Sequence, residues 1–241
     1  MSHIHLPDGV LPVWLWVLGF IVVILIWMIL LRMMKKEELT RRFPLLGMMA
    51  AVMVLGASVH ILAYHVNLTV ISGILLGPSL IFLATLVVNG ILALFGHGGI
   101  TVIGLNTLMF SIEGVLGYFF FHLFWRLFRR LSLAVFLATF LALAVSTLSM
   151  IGVVSLGTSH YEELIHQGKG KRIIGFEFGK EKESHHQEGE PEKEVNLKRF
   201  MAIILPVGFI GWVLEGIITA FIARYIHLLR PDLLRLNEES R

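Results

Sequence analysis

The chain contains no cysteine. This absence excludes disulfide bonds, thiolate metal sites and cysteine nucleophiles. Any metal site must therefore use nitrogen and oxygen ligands. Among these, the imidazole of histidine is the usual ligand for nickel, cobalt, copper and zinc, and the chain has 11 histidines.

Charge is also scarce, at 15% of the residues, whereas a soluble domain carries about 25%. So little polar surface cannot cover a globule in water, and the lipid bilayer is the natural solvent for the 56% of residues that are hydrophobic. The apolar segments are continuous runs, which excludes the alternating pattern of a membrane β-barrel. The basic residues lie at the ends of these runs rather than in one patch, so nucleic acid is not an expected partner.

Six apolar runs approach or exceed the roughly 20 residues that a helix needs to cross a bilayer. They cover residues 11–31, 43–64, 68–95, 100–125, 131–156 and 200–229. The third run would be roughly 42 Å long as one straight helix, longer than a hydrocarbon core of about 30 Å. It contains Gly77-Pro78, and proline disfavours helix at the preceding residue. This run is therefore either one kinked, tilted helix or two helices.

Three basic clusters predict the topology, namely those within residues 35–42, 126–130 and 224–235. All three should be cytoplasmic by the positive-inside rule. This requires three crossings between the second run and the second cluster, and hence a split at Gly77-Pro78. We therefore predict an all-α integral membrane protein with about seven transmembrane helices, the N-terminus outside and the C-terminus cytoplasmic.

The topology also predicts the organisation of the chain. Residues 1–157 should form a membrane core with an N-terminal metal-chelating segment. Residues 158–198 should form a hydrophilic extracytoplasmic loop, rich in His, Glu and Lys. Residues 199–241 should form a final transmembrane helix and a cytoplasmic tail. The N-terminus lacks the basic region of a signal peptide.

Nine of the 11 histidines lie on the outer side in this topology. His60 and His65 fall in the last turns of the second run or just past it, and His97 follows the third run. A histidine at a membrane interface is commonly only a polar anchor. The chain start favours metal binding, because an amine, the next amide nitrogen and an adjacent imidazole chelate one ion in a plane, as Ni(II) and Cu(II) prefer. Met1-Ser2-His3 can do this as written, and Ser2-His3 can do it if Met1 is removed.

Two carboxylates, Glu113 and Glu215, lie inside apolar runs. Acids within the membrane are costly, and they either serve function or are paired within the bundle. A partner such as Asn106, Thr107 or a polar group of another span would give them a structural role. Both interpretations remain open from the residues alone.

Three blocks resemble the CbiM/NikM family, the substrate-binding membrane components of cobalt and nickel energy-coupling-factor transporters. Residues 5–12 read His-Leu-Pro-Asp-Gly-Val-Leu-Pro, similar to the family's N-terminal motif. Residues 65–78 carry a histidine at the family's distance before Gly-Pro. Residues 96–107 resemble the family's His-Gly-Gly-Leu-Thr-x-Leu-Gly-x-Asn block, the most specific of the three.

The resemblance implies a seven-helix fold with a metal held by the N-terminal amine, the amide and imidazole of the second residue, and a histidine after the second span. His65 matches the last ligand. The second-residue histidine corresponds to His5 by motif and to His3 by distance from a processed N-terminus. The predicted metal ligands are thus Met1, Ser2, His3, His5 and His65, and the predicted supporting residues are His60, His97, Asp8 and Asn106.

The predicted function is capture of Co²⁺ or Ni²⁺ for uptake across the inner membrane of a prokaryotic cell. The sequence has no G-x-x-x-x-G-K-[ST] nucleotide-binding run, so we expect that the chain cannot drive uptake by itself. The resemblance implies a transmembrane coupling subunit and two cytoplasmic ATPase subunits as partners. The 158–198 loop would concentrate metal, replace a small accessory membrane subunit, or be a tolerated insertion.

The alternative is a metal-binding membrane protein without transport, either a sensor or an intramembrane metalloenzyme. A metalloprotease would need a motif such as His-Glu-x-x-His on a span. The sequence has none, so we predict that the protein is not an enzyme.

Overall fold

Seven α-helices make up nearly all of the described structure, a computed structural model that covers residues 11–34, 36–58, 60–61, 64–96, 98–165 and 197–234. The helices are α1 (Val13–Met33), α2 (Lys36–Ser58), α3 (Thr69–Leu76), α4 (Pro78–Leu94), α5 (Ile103–Phe128), α6 (Leu131–Ile165) and α7 (Leu197–Leu229). Two short strands, β1 (His60–Ile61) and β2 (Tyr64–His65), form a hairpin between α2 and α3, and a 3-10 helix (Pro231–Leu234) follows α7. The predicted all-α membrane architecture is confirmed, and the described residues form seven helices, of which five are candidate membrane spans.

Five of these helices are long and apolar enough to cross a membrane: α1, α2 from Leu39 onward, α5, α6 and α7 from Gly208 onward. The apolar helix α4 is slightly shorter, with 17 residues. Large apolar side chains remain exposed along α1, where only Leu15, Gly19 and Val23 are buried. In a membrane protein such a surface faces lipid.

The break at Gly77-Pro78 is present as predicted. Gly77 has φ +81°, in a region that favours glycine, and Pro78 is the first residue of α4. Proline suits this position because the first N–H of a helix has no partner within the helix. The preceding helix, α3, has eight residues, so it is about 12 Å long and extends only part of the way across a core of about 30 Å.

Several helix ends differ from the apolar runs. The helix α2 begins at Lys36 rather than Phe43, and α6 continues to Ile165 rather than ending near residue 156. Charged residues such as Lys, Glu and Arg are good helix formers, so a helix continues past the point where hydropathy falls. Residues 166–196, the greater part of the predicted hydrophilic loop, lie outside the described structure.

The directions of the helices follow from their contacts. Leu11 and Leu15 at the start of α1 share a buried cluster with Val102 and Leu105 at the start of α5, so these helices run in the same direction. The helix α7 runs antiparallel to α6: Trp212 contacts Phe140, whereas Gly216, further along α7, contacts the earlier Phe136. The ends of α1, α5 and α7 that carry basic residues therefore lie on one side of the bundle.

The short helix α3 lies in the centre of the bundle, and all eight of its residues are buried. It packs against α5 through glycines. A β-carbon on Gly73 would collide with the backbone of Gly114, and one on Gly117 would lie 2.7 Å from Val70 Cγ1. Small residues permit this close approach of helices in a membrane protein.

Candidate metal site at the α2–α3 hairpin

The hairpin between α2 and α3 brings together two of the predicted site residues. Its strands are antiparallel, and His60 pairs with His65 while Ile61 pairs with Tyr64. Both histidines therefore lie past the end of α2, which closes at Ser58. Directly paired residues in an antiparallel ladder lie opposite each other on neighbouring strands. The fold thus aligns the backbones of a predicted ligand and a predicted supporting residue.

The other predicted ligands, Met1, Ser2, His3 and His5, lie outside the described residues, as do Asp8 and His97. Gly96 and Gly98, on either side of His97, have φ values of +75° and +102°. L-residues with side chains rarely adopt this conformation. The glycines of the third block therefore serve the turn between α4 and α5.

Asn106 lies in the first turn of α5 and is buried. Its backbone N–H donates to the Val102 carbonyl at 2.9 Å. The neighbouring Leu105 packs in the same cluster as Leu11, the first described residue. The structure therefore brings the end of the N-terminal motif beside the block that contains Asn106.

A polar residue that the sequence reasoning missed, Asn67, connects the hairpin to the bundle interior. Its side-chain Nδ2 donates to Glu113 Oε1 of α5 at 2.6 Å. Its Oδ1 accepts hydrogen bonds from the backbone N–H of Thr69 at 2.8 Å and from the Thr69 hydroxyl at 2.5 Å. The contacts between Asn67 and Thr69 have a sequence signal, because an Asn just before an apolar run is typical of a helix start.

Glu113 is completely buried, and its hydrogen bond to Asn67 identifies a structural partner on another segment of the chain. Glu215 of α7 is equally buried and lies near enough for the two carboxylates to interact electrostatically. The two intramembrane acids of the sequence therefore belong to one interior region. Among the side chains that the structure describes, no three His, Asp or Glu residues come together as a metal site.

Comparison with known proteins decides the family. The family described as "Cobalt uptake substrate-specific transmembrane region" matches residues 5–233. The chain belongs to the CbiM family. The resemblance of the three sequence blocks is confirmed, and the protein is a multi-pass membrane component of the cobalt uptake type.

A solved structure shares the CbiM fold of this chain. Its title is "Crystal Structure of an Truncated Transition metal Transporter", and it superposes with a TM-score of 0.66 at 17% sequence identity. The match covers 95% of this chain and 99% of the other. A search of curated proteins gave no match.

Proposed function

We propose that this protein is the substrate-capture subunit of an ATP-driven cobalt or nickel uptake transporter and binds the ion at an extracytoplasmic site. The observation that carries the proposal is the hairpin that pairs His60 with His65 at the entrance to the buried helix α3. Imidazole nitrogen is a suitable ligand for both ions. Membership in the CbiM family supplies the transport context.

The proposed ligands are the N-terminal amine, the amide and imidazole contributed by residues 1–5, and His65. Either His3 or His5 supplies the N-terminal imidazole, and His60, His97, Asp8 and Asn106 support the site. The burial of Leu11 beside Leu105 supports this arrangement, because it anchors the N-terminal segment at the outer end of α5. Four nitrogen ligands in a plane would suit Ni(II) in particular.

The proposed orientation has the N-terminus outside the cell and the C-terminus in the cytoplasm. It is supported by the positions of Arg32, Arg126 and Arg230, which lie at the ends of α1, α5 and α7 on one side of the bundle. Basic residues near helix ends favour the cytoplasmic side. The start of α5 would then face the periplasm or the exterior of a prokaryotic inner membrane.

The proposed partners are a transmembrane coupling subunit and two cytoplasmic ATPase subunits, and a small accessory membrane subunit if the loop over 158–198 does not replace it. The protein itself would perform no catalysis. A sensor with the same site would bind metal without these partners.

Metal binding is the first experiment. We expect purified protein with a native N-terminus to retain about one Ni²⁺ or Co²⁺ ion, as measured by elemental analysis and calorimetry. His65→Ala and an N-terminal tag should each abolish binding. The matched control is His227→Ala, which removes a histidine from the last turn of α7 and should bind as wild type. Retention of the ion by both altered proteins would refute the proposed ligand set.

Uptake distinguishes a transporter from a sensor. Cells that express this chain together with the coupling and ATPase subunits of a cobalt transporter should accumulate radioactive Co²⁺ or Ni²⁺. Omission of the ATPases or the change His65→Ala should reduce accumulation to background. Binding without accumulation in the complete system would favour the sensor.

A further inference from the structure

We propose that Glu113 is a positioning residue for the metal site. Its carboxylate accepts a hydrogen bond from Asn67, which lies two residues after His65, and this bond fixes the backbone segment that contains His65. The inference rests on the function proposed above and adds a residue from the middle of the bundle to it. Glu113 would not touch the ion. It would set where the hairpin lies relative to α5.

A chain of hydrogen bonds joins α5 to the segment that follows the hairpin. Asn67 lies two residues after His65 and uses both ends of its amide, with Nδ2 bonded to Glu113 and Oδ1 bonded to Thr69. All three residues are at most 7% exposed. An amide held at both ends has one orientation, so the segment between the hairpin and α3 is fixed to α5.

The same segment also contacts α2. A β-carbon on Gly56 of α2 would lie 2.9 Å from the carbonyl oxygen of Val66. The backbone between His65 and Asn67 therefore lies directly against α2. Val66 contacts α2, and Asn67 is hydrogen-bonded to α5. The backbone that follows His65 is therefore confined by both helices.

The start of α3 lies against α5 through a close contact of its own. The α3–α5 contact at Gly73 and Gly114 is formed by backbone atoms, and a β-carbon on Gly114 would also meet Thr69 Cγ2 at 3.3 Å. Thr69 begins α3 and bonds to Asn67. The start of α3 is thus fixed beside Glu113 independently of the hairpin.

Depth in the bundle explains why this hydrogen bond matters. Glu113 is the eleventh residue of α5, which places it about 15 Å along the helix. Because the three side chains are buried, water does not compete effectively for the hydrogen bond. Without Glu113 as acceptor, Asn67 would lose the buried hydrogen bond that joins this segment to α5.

The test measures Ni²⁺ affinity of the full chain in detergent by calorimetry. Glu113→Leu and Asn67→Ala should each weaken binding by roughly 10- to 100-fold, as is typical when a residue that orients a metal ligand is removed. The double variant should lose no more than the worse single variant, since both changes break the same hydrogen bond. Glu113→Gln should bind nearly as wild type because its Oε1 still accepts from Asn67.

The matched control is Thr85→Val. Thr85 of α4 makes a buried hydroxyl contact of 2.6 Å with Ser111 of α5, so the change removes a comparable interior hydrogen bond that involves neither Asn67 nor the hairpin. It should leave Ni²⁺ affinity unchanged. Equal weakening by Thr85→Val and Glu113→Leu would overturn the proposal, as would wild-type affinity in Glu113→Leu and Asn67→Ala, or a Gln variant as weak as the Leu variant.

Hydrogen exchange of the metal-free protein gives a second measurement that does not depend on binding. Amides of residues 64–69 should exchange faster in Asn67→Ala, and in Glu113→Leu if that variant folds, while α4 exchanges as in wild type. Unchanged exchange in this segment would overturn the positioning role. If wild-type protein binds neither Ni²⁺ nor Co²⁺, the proposed function fails instead, and the positioning role for a metal site fails with it.

Discussion

Single glycines determine how closely the segments around the site approach one another. At Gly73 the neighbour is the backbone of Gly114, which cannot move aside as a flexible side chain could. At Gly90 of α4 a β-carbon would meet nothing within 4 Å. Glycine is therefore required for close packing at Gly73 of α3 but not at Gly90 of α4.

We expect Gly73→Ala to destabilise the protein by about 1–3 kcal/mol, the usual cost of overpacking a close-packed interior. Gly90→Ala should be neutral or stabilising by up to about 1 kcal/mol, because alanine is the better helix former. Thermal unfolding in detergent, followed by circular dichroism, measures both. Equal stability of the two variants would contradict the close α3–α5 contact.

Residue patterns predicted local features well and long-range pairs poorly. The turn at Gly77-Pro78 and the glycine-rich break after α4 follow from conformational preferences that each residue carries by itself. The hydrogen bond between Asn67 and Glu113 joins residues 46 positions apart. No periodicity or spacing contains that information, so the sequence indicated a buried acid without its partner.

Among the elements, the break between α3 and α4 depends on one backbone conformation. Gly77 has φ +81° and ψ +170°, and its N–H donates to the Gly73 carbonyl at 2.8 Å. This conformation is essentially restricted to glycine. The break is therefore a property of Gly77, whereas Pro78 favours the start of α4 but does not require the preceding turn.

We expect Gly77→Ala to lower the free energy of unfolding by about 1–3 kcal/mol, although a β-carbon would find open space there. Pro78→Ala should cost less, since alanine is accepted in the first turn of a helix. Denaturant titration compares the two. A larger loss for Pro78→Ala would show that proline, and not glycine, maintains the break.

Helix positions were predicted better than helix ends. Hydropathy locates the part of a helix that contacts lipid, but it does not report where the backbone stops being helical. The charged first turn of α2 and the last turns of α6 therefore extended beyond the apolar runs. Conversely, α2 ends at Ser58 although the apolar run continues, because the chain turns there into the hairpin.

For the whole molecule, the contacts fix which helix ends share a side, and the absence of cysteine makes the orientation easy to test. We expect Phe95→Cys, at an exposed position after α4, to react with a membrane-impermeant maleimide in intact cells. Arg130→Cys, at the α5–α6 turn, should react only after the membrane is permeabilised. The reverse labelling pattern would contradict an external N-terminus.

The backbone contact between α3 and α5 also limits how this part of the bundle could move. Two helices that touch through main-chain atoms have no alternative rotamers with which to slide past one another, and close-packed interiors yield little. A shift of α3 along α5 would therefore disturb backbone atoms of both helices at once. Any movement of this part of the bundle should carry α3 and α5 together as one unit.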